Sequence, residues 1–495
     1  MSKITICKGN IIMTSKGDTT FHTFDGSIVS TAGGSNYWGG EQGTIVGDYE
    51  PMESPNETSI PIIESKCLVK FRPHSNWKGE YGFDWIRTGD TGRSGDNPLY
   101  CILGRYYFPI PNSGGEIDSC GTPENIEEYY KYGTSVNATQ EDYFSYRFIK
   151  DKKMFDRLIR TFPRFEITWK DHTKELPFYV VPILTLWEGK KAAFSLKFEG
   201  KEKAKNITFE FENPLVEGIY LTLERPELDL NKISLENGNL NYLKKDCFTI
   251  CCKEEFYTPQ KLLVKADGKL CGAMLILPNF YKVRREIKIV IIKTKTSISD
   301  QVGKLEGGKE SLRNFLNQAM IDPEITDEKE NLVCKYKDKE EDKKFKEECA
   351  YFKERDGMYY LNDMNIETFK NHILEFYNGN KELKDKYNDY YKIFLVGERA
   401  EINRGFTDVR NNCSFCLLNA GEQTAAHEVL HSIGLDHTFE KNSDDFIYQG
   451  QETDNVMDYL NEGVALYQWQ WKLINPAIKE ILRWQNNFIY LHSEN

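Results

Sequence analysis

The run HEVLHSIGLDH, which ends at residue 437, constrains the folding of this chain more than any other stretch, because it holds three of the eight histidines. His427 and His431 are four residues apart, so on a helix they share one face. Gly434 stands where a helix would end, in a turn that favours positive φ and therefore glycine. The spacing predicts a helix over residues 421–434 and a sharp turn that brings His437 back toward the other two imidazoles.

Three imidazoles in this arrangement are a ligand set for Zn²⁺, and they leave one coordination position open. Structural zinc sites usually close with four protein ligands, so an open set favours a catalytic site. Glu428 follows His427 directly; its side chain leaves the helix at a different angle, where it can act on a zinc-bound water as a general base. The alternative is a helix with incidental histidines, but Gly434 and His437 in register argue against it.

A methionine follows the motif at a characteristic place: Met457 lies within DNVMDYL, twenty residues after His437. The pattern His-Glu-x-x-His-x-x-Gly-x-x-His followed by this methionine resembles the metzincin metallopeptidases. The resemblance implies that Met457 forms an apolar floor beneath the zinc ion. It also implies that Tyr459 coordinates zinc and then swings away to stabilise an oxyanion; a tyrosine packed in the core is the alternative.

The activity that the resemblance implies is hydrolysis of peptide bonds in a protein or peptide substrate. Zinc lowers the pKa of a bound water from 15.7 toward about 7. Glu428 is expected to take the proton of that water and to pass it to the leaving amine. The hydroxide attacks a carbonyl polarised by zinc, and Tyr459 is expected to assist the oxyanion.

The family also implies an edge strand just before the zinc helix, with which a substrate pairs in antiparallel fashion. Here that strand is expected in NCSFCLLNAG, residues 412–421. The substrate-binding residues on it would be Cys413, Ser414, Phe415, Cys416 and Leu417. The two cysteines are three apart, so on a strand they face opposite sides and are expected to pack rather than to chelate; an oxidised pair is the alternative.

The length of 495 residues predicts three or four structural units. Residues 1–65 are predicted to form a Gly-rich β arm, and 66–173 mix strand patterns with tight turns. Residues 174–298 contain β-forming runs about every ten residues, which predicts an immunoglobulin-like β-sandwich. Residues 299–495 are assigned to an α+β, metzincin-like catalytic domain. The fold class is thus a multidomain chain, β-rich first and α+β last.

Within the last unit, apolar spacing predicts amphipathic helices at ESLRNFLNQAMI (310–321) and NIETFKNHILEFY (365–377). YYKIFLVG (390–397) reads as a strand, and GVALYQWQWKLINPAIKEILRWQ (463–485) as a helix interrupted at Pro476. The charged run 337–354 is expected to form a solvated helical face or an ordered surface insertion.

Composition excludes several classes of protein. The net charge of −12 argues against a nucleic-acid partner. The longest apolar stretch, FYVVPILTLW, is too short for a membrane span. The first residues lack the apolar region of a secretory signal, so synthesis in the cytoplasm is expected, with the twelve scattered cysteines reduced.

The N-terminal arm KGNIIMTSKGDTTFHTFDGSIVSTAGG is similar to arms of effector proteins of bacterial contractile, type VI-like secretion systems. The resemblance implies a toxic peptidase exported by an injection apparatus, with a spike or tube component and an immunity protein as partners. Two alternatives stay open. One is an intracellular peptidase whose β domains recruit substrates, and the other is an inactive binding protein that zinc stabilises.

Overall fold

The computed structural model describes residues 62–107, 147–170, 178–230, 239–440, 446–459 and 463–488. Over these residues the protein is a mixed α/β molecule with several sheets and a β-rich N-terminal part. The Gly-rich arm predicted for 1–65 lies outside the described residues except for its last four. None of the helices in the described ranges is long and apolar enough to cross a membrane.

The N-terminal part consists mainly of strands. In chain order its elements are β1 (Cys67–Pro73), β2 (Gly82–Asp84), α1 (Leu99–Ile102), β3 (Gly104–Tyr107), β4 (Arg147–Lys150), α2 (Lys152–Arg160), β5 (Arg164–Glu166), β6 (Phe178–Val180), β7 (Ile183–Thr185), β8 (Lys191–Gly200), β9 (Asn206–Phe211), β10 (Leu221–Glu224), β11 (Glu227–Asp229), β12 (Leu240–Cys252), β13 (Gln260–Ala266) and β14 (Lys269–Ile276).

Two sheets account for most of these strands. One has the order β1-β8-β12-β10 and is antiparallel throughout. The other has the order β11-β9-β13-β14-β7-β2, with a single parallel pair, β14 and β7. Along β13 every second residue is buried, which is the alternation of a strand with one face on a core. Short two-stranded ladders, β3-β4 and β5-β6, complete this part.

The C-terminal part alternates strands and helices. In chain order its elements are β15 (Arg285–Thr296), α3 (Gly308–Gln318), β16 (Ile321–Asp327), β17 (Leu332–Cys334), α4 (Lys339–Cys349), β18 (Ala350–Lys353), β19 (Met358–Leu361), α5 (Ile366–Gly379), α6 (Lys381–Lys386), β20 (Tyr391–Val396), β21 (Arg399–Ala400), β22 (Gly405–Asp408), β23 (Cys413–Cys416), α7 (Thr424–Ile433), α8 (Gln468–Ile474) and α9 (Pro476–Phe488).

The main sheet of this part has the order β16-β15-β20-β23-β22, and β17 also pairs with β15. All of its pairs are parallel except the last, in which β22 runs antiparallel to β23. The sheet separates two cores. Ile393 and Leu395 of β20 belong to the larger core with α3 and α7, whereas Phe394 and Val396 belong to the smaller core with α4 and α5.

Strand β15 links the two parts of the molecule. It falls inside the segment 174–298 in which the β-sandwich was predicted, yet it pairs with β16 and β20 of the later sheet. Its run IVII is buried on both faces, as is typical of a strand in a parallel sheet covered by helices on both sides. Neither the immunoglobulin-like sandwich nor the metzincin-like fold is established by this arrangement.

The β-rich part packs directly against the segment that leads to Met457. Arg87 Nε donates to Asp454 Oδ1 at 3.0 Å, and its Nη1 donates to Asp84. Asp96 forms an isolated β-bridge with Thr453. Because these side chains are almost completely buried, the two parts share one continuous core.

Candidate metal centre

Helix α7 carries the first two histidines of the motif and ends as the sequence predicts. Gly434 adopts φ 112°, and its N–H donates to the carbonyls of Leu430 and His431. The N–H of Leu435 also donates to the Leu430 carbonyl, at 3.0 Å. This pattern is the Schellman ending, which requires a left-handed residue at the position that glycine occupies.

The turn brings His437 to the other two histidines. The Nε2 atoms of His427 and His431 are 3.1 Å apart, and each lies 3.2 Å from Nε2 of His437. These three residues form the group that could hold a metal ion among the described residues. The prediction that the three imidazoles converge on one point is therefore confirmed.

The outer nitrogen of each imidazole has an acceptor of its own. His427 Nδ1 lies 2.8 Å from the Val456 carbonyl, and His431 Nδ1 lies 2.7 Å from the Leu435 carbonyl. His437 Nδ1 lies 2.6 Å from Glu440 Oε1. Because these oxygens only accept, each Nδ1 carries a proton, and Nε2 is the nitrogen through which a neutral ring would bind a metal.

Three lone pairs directed at one point fit a cation. A cation bound between these nitrogens, which are 3.1–3.2 Å apart, would offset the repulsion of their lone pairs. A tetrahedral ion with metal–nitrogen bonds of about 2.0–2.1 Å places its ligand nitrogens roughly 3.3 Å apart. Burial also lowers the pKa of His427 to about 4 and that of His431 well below its ordinary value, which keeps both rings neutral. The residues present therefore suit a metal ion.

Glu428 follows His427 on α7, is buried, and contacts the outermost strand of the sheet. Thr407 of β22 donates to Glu428 Oε2 at 2.6 Å and to its carbonyl at 2.9 Å. Gly405 leaves room for this carboxylate, since a Cβ built there would lie 2.8 Å from Oε1. Burial raises the pKa of Glu428 to about 7. Such a carboxylate can both accept and release a proton near neutral pH.

The segment around Met457 holds two of the histidines in place. Val456 accepts from His427, and the Met457 carbonyl accepts from the N–H of Thr438, the residue after His437. Met457 itself is completely buried, and its own N–H donates to Asn455 Oδ1 at 2.9 Å. The backbone of this turn thus supports the triad directly.

Two aromatic rings flank His437. Phe439 stacks on it with ring centroids 5.0 Å apart, and Tyr459 meets it edge-on at 4.7 Å. The Tyr459 ring also lies 6.5 Å from that of His427, and its side chain is about half exposed. The alternative of a tyrosine packed in the core is thus wrong, whereas coordination of a metal by Tyr459 stays a prediction.

The expectation that residues 412–421 form the edge strand is wrong. Strand β23, which carries Cys413, Ser414, Phe415 and Cys416, lies between β20 and β22. All four residues, and Leu417 after them, are buried. A strand paired on both sides has no free N–H or C=O groups for a peptide, so the edge belongs to β22. Cys413 and Cys416 are free thiols in different cores, as expected of packing cysteines.

Sequence reasoning missed several residues that shape the site. Glu440 follows the third histidine by three residues, but a lone glutamate in a polar stretch carries no signal of its own. Gly405 and Thr407 contact Glu428 from more than twenty residues away in the chain. The order of β22 and β23 in the sheet would have revealed them, but local periodicity does not encode that order.

Known proteins offer no further guide to this centre. The chain matches no model of a known protein family, and no curated protein matches it. The case for a metal centre therefore rests on the three converging imidazoles and the hydrogen bonds that orient them.

Proposed function

We propose that the chain is a zinc-dependent endopeptidase of the metzincin type. The observation that carries this proposal is the convergence of three Nε2 atoms, with a buried glutamate directly after the first histidine in the chain. His427, His431 and His437 would hold Zn²⁺, the ion for which three imidazoles are a common catalytic ligand set. When bound, the ion would supply Lewis acidity, polarising a substrate carbonyl and acidifying water.

The rest of the chemistry falls to residues of this chain. The Thr407 hydroxyl donates a hydrogen bond to Glu428 Oε2. The other carboxylate oxygen, Oε1, would therefore be the atom that accepts and releases the proton during the reaction. Glu428 then takes a proton from the nucleophile and returns it to the leaving amine. Tyr459, whose ring contacts that of His437, would donate to an oxyanion. Glu440 and the Val456 carbonyl keep two of the imidazoles in the correct tautomer.

The arrangement of the sheet supports this reading. Strand β22 is antiparallel to its neighbour, and in the described part of the chain no further strand pairs with its outer side. An extended peptide added there would run past Glu428, which contacts Thr407 of the same strand. We therefore assign the substrate-pairing edge to residues 405–408. Helices α8 and α9 follow the Met457 segment, as in the family that the motif resembles.

Substitution of Glu428 tests the proposal. Glu428→Gln keeps the size of the side chain but cannot accept a proton, so zinc content is expected to stay while cleavage of casein or gelatin falls at least about 100-fold. Glu422→Gln, which changes an exposed carboxylate before the same helix, is the matched control. Full peptidase activity in Glu428→Gln protein would sink the proposal.

The same substitution also tests whether the protein is an inactive binding protein or a delivered toxin. A binding protein that zinc merely stabilises would hold zinc but show no cleavage in the native form. A delivered toxin should harm cells that express it, and Glu428→Gln should abolish the harm. The delivery hypothesis rests on the arm before residue 62, which lies outside the described residues, so it stays a prediction.

A further inference from the structure

A second site of interest lies on the other face of the main sheet. A cavity of about 220 Å³ opens where β20 and β23 begin. Leu374, Tyr377 and Cys413 form its apolar wall and belong to the smaller core, whereas α7 packs in the larger core. The cavity is therefore separated from the metal centre by the sheet itself.

The charge of this cavity is unusual for an acidic chain. Three cations line it: Lys384, Lys392 and Arg410. The remaining polar residues are asparagines, at positions 378, 388, 411 and 412, and no carboxylate belongs to the lining. The chain as a whole carries a net charge of −12, so a cavity lined by three positive groups differs in sign from the rest of the protein. They indicate a region that attracts anions.

Lys392 makes the strongest case because it is buried. Its relative exposure is 6%, and among the described residues its Nζ donates only to the carbonyls of Asn388 at 3.3 Å and Asn411 at 3.4 Å. Burial lowers the pKa of Lys392, with Cys413 and Asp389 opposing the change. The Cys413 thiol is itself neutral, since burial raises its pKa to about 12. An ammonium buried without a carboxylate partner is costly, and a bound anion would remove that cost.

We propose that this cavity binds a phosphate group, either as inorganic phosphate or as the phosphate of a small phosphomonoester. Phosphate offers enough acceptor oxygens to engage a guanidinium, two ammonium groups and asparagine amides together. At about 220 Å³ the cavity is smaller than the roughly 300–1,000 Å³ of pockets for drug-sized ligands, so the ligand is small. The proposal is independent of the peptidase activity.

Titration calorimetry on the full chain at low ionic strength tests the proposal. Sodium phosphate and glycerol 2-phosphate are the two probes, and the tighter one identifies the source of the phosphate group. Lys384 and Arg410 are exposed, so the double variant Lys384→Gln/Arg410→Gln should fold normally. We expect it to weaken binding of the better probe at least about tenfold. Lys381→Gln, on the same helix α6 but outside the lining, should leave affinity unchanged.

Phosphate could also bind at the metal centre, and a second pair of variants separates the two sites. His437→Ala should retain phosphate binding, whereas Lys392→Met, which keeps the volume of the side chain, should lose it. The proposal is overturned if neither probe binds saturably to native protein. It is equally overturned if His437→Ala abolishes binding while the Lys384→Gln/Arg410→Gln protein binds as tightly as the native chain.

Discussion

Glu440 is the residue whose role at the metal centre is easiest to isolate. Its carboxylate accepts from His437 Nδ1 at 2.6 Å and so orients the ring and raises the basicity of Nε2. We expect Glu440→Ala to weaken zinc affinity about 10- to 100-fold, and Glu440→Gln to weaken it less, because the amide oxygen still accepts.

Competition with a chromogenic chelator measures this difference. Glu382→Gln, at an exposed position on α6, should not change the zinc affinity. Equal affinities for the native, alanine and glutamine proteins would mean that Glu440 does not orient His437.

Gly405 offers a second test at the scale of one residue. A Cβ there would lie 2.8 Å from Glu428 Oε1 and 2.9 Å from its Cγ, so Gly405→Ala must displace the carboxylate. We expect zinc content to be unchanged and peptidase activity to fall at least about tenfold. A Cβ at Gly421, by contrast, would meet only Thr424 Oγ1, at 3.9 Å. Gly421→Ala is therefore the control, and equal activity of the two alanine variants would contradict the assigned contact.

The residues of the motif itself were predictable because their spacing has a local cause. Helical geometry places His427 and His431 on one face, and the left-handed turn at Gly434 needs no tertiary information. Glu440 and Thr407 were not predictable in the same way. Their roles depend on where a loop and a distant strand come to lie, and the spacing of residues along the chain does not carry that information.

At the scale of elements, helix α5 contains a histidine that should make the fold sensitive to pH. His372 is buried in the smaller core, with its ring 3.6 Å from that of Phe345. Burial lowers the pKa of His372, and the carboxylates of Glu375 and Asp342 oppose this only in part. The neutral ring is therefore favoured in the folded state.

The sign of the pH dependence follows from that lowered pKa. In the unfolded chain His372 gains a proton as the pH falls below about 6.5, while in the folded chain it resists protonation. Its contribution to stability is thus complete above about pH 6.5 and is lost as the pH falls toward the folded pKa. Urea titrations at pH 7.5 and 5.5, with zinc bound throughout, measure the unfolding free energy of native and His372→Phe protein. We expect this free energy to fall less between the two pH values in the His372→Phe protein than in the native protein. Parallel losses in the two proteins would contradict this.

Several helices of the C-terminal part were predictable from apolar spacing, but the position of strand β23 within its sheet was not. Helices α3 and α5 lie where the patterns predicted them, and the interruption before Pro476 separates α8 from α9. Strand β23 was also predicted, but its place within the sheet was not. A strand's own sequence shows that it is buried, whereas its neighbours are set by the path of the whole chain.

For the whole molecule, the buried cation Arg87 is a decisive contact between the two parts. Its guanidinium group donates hydrogen bonds to Asp84 of the β-rich part and to Asp454 of the segment before Met457. The Cζ atom of this group lies 3.8 Å from the centroid of the Trp85 ring. We expect Arg87→Met to lower the unfolding free energy by about 3–5 kcal/mol, because two carboxylates would stay buried without their partner.

Chemical denaturation of native and variant protein measures this loss. Lys309→Met provides the control, since the ion pair of Lys309 with Asp327 is largely exposed and should contribute less than about 1 kcal/mol. If the two variants lost the same free energy, Arg87 would not hold the two parts together.

The position of β15 determines whether the C-terminal part can be separated from the rest of the chain. This strand precedes residue 299 but lies inside the sheet that supports α7, between β16 and β20. The loops near Arg87 and Asp96 meanwhile brace the turn that touches His427. A chain divided at residue 299 would lose this interior strand together with the contacts of Arg87 and Asp96. We therefore expect residues 299–495, produced alone, to lack both a strand of the sheet beneath α7 and the contacts that hold the Met457 turn.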